Sequence, residues 1–400
     1  MSCRKFLVLV VACLSVQALP VHAGEGDVFN INASVSSTRD NNLFRLAPSA
    51  NPPGIDSRSD TINAVTLDFN FDKMFSRQRI VANAIVVDNR YQKNDYLSFT
   101  AFNYDAKWLW AAGSRWDGVL YIDRKEGLNS FADYRADRQR NIRTTENEGF
   151  TANYWFHSNW AAVAGVSRTS VTNEQPFLAE NDYTSSGYNL GLRYRPISGN
   201  TLTLRMSNLD GSYAKRQFNV LNQFDNSFTD NAYGVDLDWL LTGKSQVRGR
   251  FGYTERQHAN FSQRDYSGWV GNLDYIYAYT GKGKVTIGYK RDIAAYQQLT
   301  SSYYTLDEVN VSGQWAATSQ ITATARLGYG LRNYEGEIIP LPAGTSQRED
   351  AVSRLAFDLA YQPARWLQLK AGVGVENRNV NYDIYDYKDR TGFVSATAQY

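Results

Sequence analysis

The sequence predicts an all-β transmembrane barrel of about 18 antiparallel strands, with both termini on the periplasmic side. Three observations predict it. After residue 23 the chain reads as segments of roughly ten residues in which apolar and polar positions alternate, the pattern of a wall with lipid on one side and water on the other. The connections between segments are short and long by turns, with short turns expected in the periplasm. The nine prolines all fall between the proposed segments, where none deletes a ladder hydrogen bond that lipid cannot replace.

The elements follow in chain order. Residues 1–23 read as a secretory signal. Arg4 and Lys5 are its charged start, Phe6 to Val16 its apolar core, and Val21-His22-Ala23 a small-residue cleavage site. Residues 24–400 are then the barrel domain, exported to the bacterial outer membrane. Strands are expected near 28–37, 60–71, 78–90, 96–109, 115–124, 146–156, 160–169, 184–195, 200–210, 231–241, 245–256, 266–279, 284–294, 303–316, 320–333, 350–361, 365–376 and 390–400. The even count returns both termini to one side. In 366–376, Leu367, Leu369, Ala371, Val373 and Val375 share one face, and Gln368, Lys370, Gly372, Gly374 and Glu376 the other. Segments 80–88, 97–110 and 160–168 alternate less cleanly and suggest bulges.

Aromatics mark the two ends. Trp108, Trp110, Trp116, Trp155, Trp160, Trp239, Trp315 and Trp366 sit near short turns, while tyrosines crowd the long-loop ends, as two interfacial girdles require. The last segment places Val394, Ala396, Ala398 and the terminal Tyr400 on one face. This is similar to the C-terminal signal read by the outer-membrane assembly machinery. Lipid and lipopolysaccharide are the expected surroundings.

The polar face then lines a lumen. Cross-strand opposition suggests Asp238 with Arg248, Asp236 with Arg250, Asp274 with Lys290, Glu308 with Arg326 and Asp358 with Lys370. Arg193, Arg195 and Arg205 have no obvious acid in their own hairpin, and Arg332 and Arg354 read as unpaired unless neighbours across the long loops supply partners; unpaired inward arginines would bias a pore toward anions. The basic 124–145 loop can touch an anionic glycan, meet lipopolysaccharide phosphates or form a solvated surface, and with Leu128, Phe131 and Tyr134 at helical spacing it can also fold inward as a constriction.

Composition excludes several classes. Both cysteines, Cys3 and Cys13, lie in the signal, so no disulfide framework or thiol chemistry is expected. Removing Arg4 and Lys5 from 42 basic residues leaves 40, against 40 acidic ones, so no basic surplus points to nucleic acid. His157 and His258 lack the neighbours of a metal site or a catalytic triad, and no cofactor-binding motif occurs. The expectation is a protein that is not an enzyme and carries neither cofactor nor metal.

Asp27-Val28-Phe29-Asn30, Asp40-Asn41-Asn42-Leu43-Phe44-Arg45-Leu46 and Ser59-Asp60-Thr61 carry a resemblance. The chain resembles the EpsL-type exopolysaccharide-biosynthesis outer-membrane proteins associated with exosortase loci. That resemblance implies a passive exit or accessory for an exopolysaccharide, working with a periplasmic polysaccharide-export lipoprotein. A general or anion-preferring diffusion porin for small solutes is the other reading.

Overall fold

The computed structural model describes residues 28–50, 57–132, 138–221, 223–296, 300–342 and 344–400. The signal-peptide reading and Tyr134 lie outside them. Eighteen strands follow one another: β1 (Phe29–Asp40), β2 (Asp60–Phe75), β3 (Gln78–Tyr91), β4 (Phe99–Ala112), β5 (Trp116–Leu128), β6 (Ile142–His157), β7 (Trp160–Asn173), β8 (Tyr183–Tyr194), β9 (Thr201–Ser212), β10 (Ser227–Thr242), β11 (Ser245–His258), β12 (Tyr266–Thr280), β13 (Gly283–Ala295), β14 (Tyr303–Ala316), β15 (Ile321–Glu335), β16 (Glu349–Ala364), β17 (Leu367–Val380) and β18 (Tyr387–Gln399). Each pairs antiparallel with its neighbours in the chain. The sheet closes where β1 pairs with β18, Ser36 opposite Ser395. Closure leaves no edge strand, so the wall's amides can pair within the sheet without water. Both termini lie at the short-turn end of the barrel.

β2, at 16 residues, rises roughly 50 Å at ~3.3 Å per residue. An apolar band is only about 25 Å tall. Tilt takes up part of the difference, and the strands project beyond the band into the long-loop end. Pro363 falls inside β16, two residues past the expected strand end, within a register shift between Tyr361 and Ala364. An irregular strand end is one of the few places where a sheet tolerates the missing amide hydrogen.

Residues opposite each other in a ladder share a face, so the register sorts the wall into two. On one face Leu327, Phe357 and Val373 stand 54 %, 48 % and 62 % exposed. Repeated around a closed sheet, such apolar exposure requires lipid rather than water as solvent. Trp108, Trp116, Trp315 and Trp366 are exposed near the short turns, as a girdle requires. Trp155 departs from that expectation. It opposes Ala161 on the polar face, is buried, and donates from Nε1 to Asp117 Oδ2 at 2.7 Å.

The expected bulges are absent from the three segments that alternate poorly. The β3–β4 and β7–β8 ladders run without a shift. The shifts lie at four short-turn ends, after Trp155, Leu240, Tyr277 and Tyr361. Inward apolar side chains blur the alternation instead: Ala101 is buried on β4, and Ala161 and Val163 are buried on β7.

The buried apolar cluster of this molecule sits not against the wall's lipid face but among the long loops. Leu43, Phe44 and Leu46 from the β1–β2 loop pack with Leu97 from the β3–β4 loop and Phe131 from the β5–β6 loop, against Ile62 and Tyr91 of the wall. Asp60 organises this region. Fully buried at the start of β2, its Oδ1 accepts the N–H groups of Thr61, Gln92 and Lys93 at 2.7, 3.1 and 3.0 Å. Its Oδ2 accepts the Asn94 N–H and Nδ2–H at 2.9 and 2.8 Å. Hydrogen bonds to a charged acceptor are worth about 1.5–3 kcal/mol each. Asp60→Ala is therefore expected to release the 92–98 loop. Hydrogen exchange there should rise by at least tenfold, with the β10–β12 amides unchanged.

Candidate functional site: the lumen and its mouth

The polar face carries the residues that the alternation predicts. Arg193, Arg205, Asp236, Asp238, Arg248, Arg250, Asp274, Lys290, Glu308, Arg326, Arg332, Asp358 and Lys370 all lie on it by register. Arg195 is the first residue beyond β8, where its N–H still donates to Asn159 O.

Two of the expected pairs form as predicted. Asp236 opposes Arg250 with Nε–Oδ1 at 2.5 Å, and Asp238 opposes Arg248 with Nε–Oδ2 at 3.3 Å. The other three are displaced along the strands. Asp274 opposes Gly288 and, on the other side, Arg248, while Lys290 opposes Glu308 and holds Asp292 at 3.0 Å. Glu308 opposes Gly330 rather than Arg326, and reaches Arg354 at 3.4 Å. Asp358 opposes Gly372, receives Arg326 from the neighbouring strand, and meets Lys370 only diagonally at 3.8 Å. Position relative to the turn decides the outcome. The β10–β11, β12–β13 and β16–β17 hairpins share one geometry, a two-residue turn beside a one-residue shift; Asp236 and Asp238 stand in register with their bases about it, whereas Asp274 and Lys290, and Asp358 and Lys370, stand two residues out, and Glu308 and Arg326 stand four out about the longer 317–320 connection. Glycine fills the space opposite each acid, because a Cβ at Gly288 would stand 2.6 Å from Asp274 Oδ1.

Arg205 finds an acid on the strand beyond its own hairpin, and Arg354, contrary to expectation, finds one directly opposite in its own β16–β17 hairpin. Arg205 reaches Asp236 across β9–β10 at 3.3 Å, and Arg354 reaches Glu376 at 2.6 Å. Arg332 opposes Asp350 and lies over the Tyr304 ring. Arg193 and Arg195 differ. Arg193 Nε donates to Thr203 Oγ1 at 3.1 Å, and the Arg195 guanidinium stacks 3.9 Å above Trp155. Neither has a carboxylate within ion-pair distance among the described residues. The β8 side of the wall therefore presents two held but unneutralised cations to the lumen.

At the long-loop end, the described residues of the β5–β6 loop contact neighbouring loops and a strand across the ring. Arg138 O accepts Tyr96 Oη–H at 3.0 Å, the Phe131 ring meets Phe44 at 5.0 Å and 61°, and Ala132 O accepts Arg378 Nη1–H at 3.0 Å. Arg378 belongs to β17, six strands round an 18-stranded ring from β5. Strand β5 runs through Leu128, and of the residues beyond it the described Phe131 and Ala132 turn inward, in the direction that one reading of the 124–145 segment allowed. Arg378 is itself clamped by Asp350, Nε–Oδ2 3.1 Å, and Arg348 holds the same carboxylate at 2.8 Å. Asp350 also accepts Tyr334 Oη–H at 3.0 Å.

The Asp40–Leu46 segment supplies the floor of this mouth. Asn42 Nδ2 donates to Leu46 O and Lys388 O, Leu46 N–H returns to Asn42 Oδ1, and Arg45 in the left-handed region (φ 52°) pairs with Asp40 at 2.9 Å and Asp389 at 3.1 Å. Burial disfavours the Arg45 charge, but Asp40 and Asp389 outweigh it and its pKa lies above the ordinary value. These loop interactions carry no periodic signal, so only the isolated apolar residues among polar loops hinted at them.

On the far side of the mouth Asp225 gathers the β11–β12 loop, accepting Asn260 N–H at 2.6 Å and Asn260 Nδ2–H at 3.0 Å. Burial pushes its carboxyl up, but these donors outweigh it, and the net pKa lies below the ordinary carboxylate value. A carboxyl depressed by folding stabilises above its unfolded pKa of about 3.9 and loses that contribution as pH falls through the folded value. Hydrogen exchange at Asn260 is expected to stay protected at pH 5 and above and to lose protection only at pH values below the ordinary carboxylate value of about 3.9. His258, at the root of that loop, has Nδ1 3.1 Å from Asp265 Oδ1. It ties the loop to β11.

No family model and no curated protein matches the sequence. Solved structures do match in fold. OpdK of Pseudomonas aeruginosa, solved with vanillate, is 11 % identical with a TM-score of 0.51, over 93 % of this chain and 99 % of that one. OccK2 (OpdF) of P. aeruginosa is 11 % identical with a TM-score of 0.51, over 93 % and 98 %. A BenF-like porin from Pseudomonas fluorescens Pf-5 is 10 % identical with a TM-score of 0.50, over 93 % and 99 %. At such identities the likeness is one of architecture: a closed 18-stranded antiparallel barrel of the bacterial outer-membrane kind.

Proposed function

We propose that the protein is an outer-membrane diffusion channel, not an enzyme, that admits small hydrophilic solutes, with a preference for anions, through a mouth narrowed by its own loops. The carrying observation is the combination of a polar-walled, closed 18-stranded barrel with a β5–β6 loop tied to β17 by Arg378. Barrels of this strand number enclose water, and unneutralised Arg193 and Arg195 bias that water toward anions. Liposome swelling tests the size limit. Protein-bearing vesicles are expected to admit a pentose rapidly and a tetrasaccharide at least tenfold more slowly. Equal rates for the two, or no uptake of either, would refute a narrowed channel.

The second reading is passage of an exopolysaccharide, with a periplasmic lipoprotein as partner. What favours it is that Asp40–Leu46, which carries the resemblance, builds the mouth itself. Deleting the gene would then abolish polymer secretion, and unchanged secretion would refute it. In both readings the assembly machinery would engage β18, whose outward Val394, Ala396 and Ala398 run to the closing seam with β1.

A further inference from the structure

We propose that the outer face of the β17–β18–β1–β2 seam, at the long-loop end, binds a phosphate-bearing glycolipid of the outer leaflet through Arg39, Lys388 and Arg390. The register puts all three on the lipid-facing side. Lys388 opposes Asn377, Arg390 opposes Val375, and Arg39 opposes Gly392 on one side and Thr61 on the other. All three are exposed, in contrast to Asp389 and Asp40, which alternate with them and are buried on the inner face.

Charge balance separates this seam from the rest of the rim. Elsewhere the outward bases are matched: Arg90 by Asp88, Arg124 by Glu126 and Glu146, Arg168 by Glu148, and Arg291 by Asp307. Arg39, Lys388 and Arg390 have no carboxylate partner among the described residues. Arg39 is also pre-oriented, since Nη2 donates to Ser59 Oγ at 2.8 Å and Nη1 to Thr61 Oγ1 at 3.2 Å. Three cations above a membrane band require an anion at headgroup depth. Phosphate suits them because guanidinium donors pair with its oxygens in a fixed fork. The wall below the cluster continues as Val373 and Val394, exposed to lipid, which suits the acyl chains of the same molecule. Long loops face outward in barrels of this kind, so the cluster lies in the outer leaflet. The basic 124–145 segment, by contrast, spends Arg124 and Arg140 on Glu146 and Glu174.

The test is native mass spectrometry of the detergent-solubilised full barrel with bis-phosphorylated lipid A. The parent is expected to retain it. Arg39→Gln/Lys388→Gln/Arg390→Gln is expected to weaken retention by about tenfold or more. Dephosphorylated lipid A should bind the parent as weakly as lipid A binds the variant. Arg124→Gln/Arg168→Gln, which breaks paired charges, should retain lipid A like the parent. Heat-modifiable gel migration establishes folding, and Lys388→Gln/Arg390→Gln serves if the triple variant does not fold. Undiminished binding by the seam variant, equal binding of the dephosphorylated lipid, or an equal loss in the control would overturn the proposal.

Discussion

Phe44→Ala is expected to raise channel conductance several-fold while the barrel stays closed. Phe44 is 1 % exposed and its ring packs edge-to-face on Phe131. Removing a buried phenylalanine costs about 3–5 kcal/mol, and the aromatic pair adds about 0.5–1.5 kcal/mol. The loop cluster it joins is small, with only Leu43, Leu46, Leu97 and Phe131 buried beside it. The loss therefore falls on a unit with little else to hold it. The wall is held separately by an unbroken ring of backbone ladders, so the loops can open without the barrel doing so. Single-channel recording reads the conductance, and heat-modifiable migration reads barrel closure. A folded variant with parental conductance would show that the loops do not limit flow.

Arg193→Gln/Arg195→Gln is expected to shift ion selectivity toward cations, lowering the anion-to-cation permeability ratio by about two- to tenfold. Each removed charge is worth about 1 kcal/mol at 4 Å in water and more beside a low-dielectric wall, and neither arginine has a carboxylate within ion-pair distance among the described residues. Arg248→Gln/Asp238→Asn removes a base and an acid that are paired at 3.3 Å, so it serves as the neutral comparison and should change the ratio little. Reversal potentials across a KCl gradient measure both. An equal shift in the two variants would locate selectivity elsewhere.

The wall was legible because its physics is periodic. Alternation gave 18 strands, and the alternation of loop lengths gave the up-and-down order, both as found. Face was legible for the same reason, and Arg193 and Arg195 are without an acid partner as read. Pairing was legible only where the turn centre could be placed. Asp236–Arg250 came out directly, whereas for Asp274, Glu308 and Asp358 the residue pattern does not locate the turn centre to within the one or two residues that decide which side chains oppose. Trp155 could not be told from its girdle neighbours, because its partner Asp117 lies on the adjacent strand. The mouth was least legible. Its contacts join loops to strands distant in the chain, Ala132 with Arg378 and Asn42 with Lys388, and depend on side-chain donors rather than on spacing.

Single-channel recording of the parent protein in planar bilayers, beside Phe44→Ala, tests most directly whether this is a water-filled barrel narrowed by its own loops. The expected result is small, discrete conductance steps in the parent that become several-fold larger in the variant. No steps from folded, inserted protein in either form, or parental steps already as large as the variant's, would contradict it.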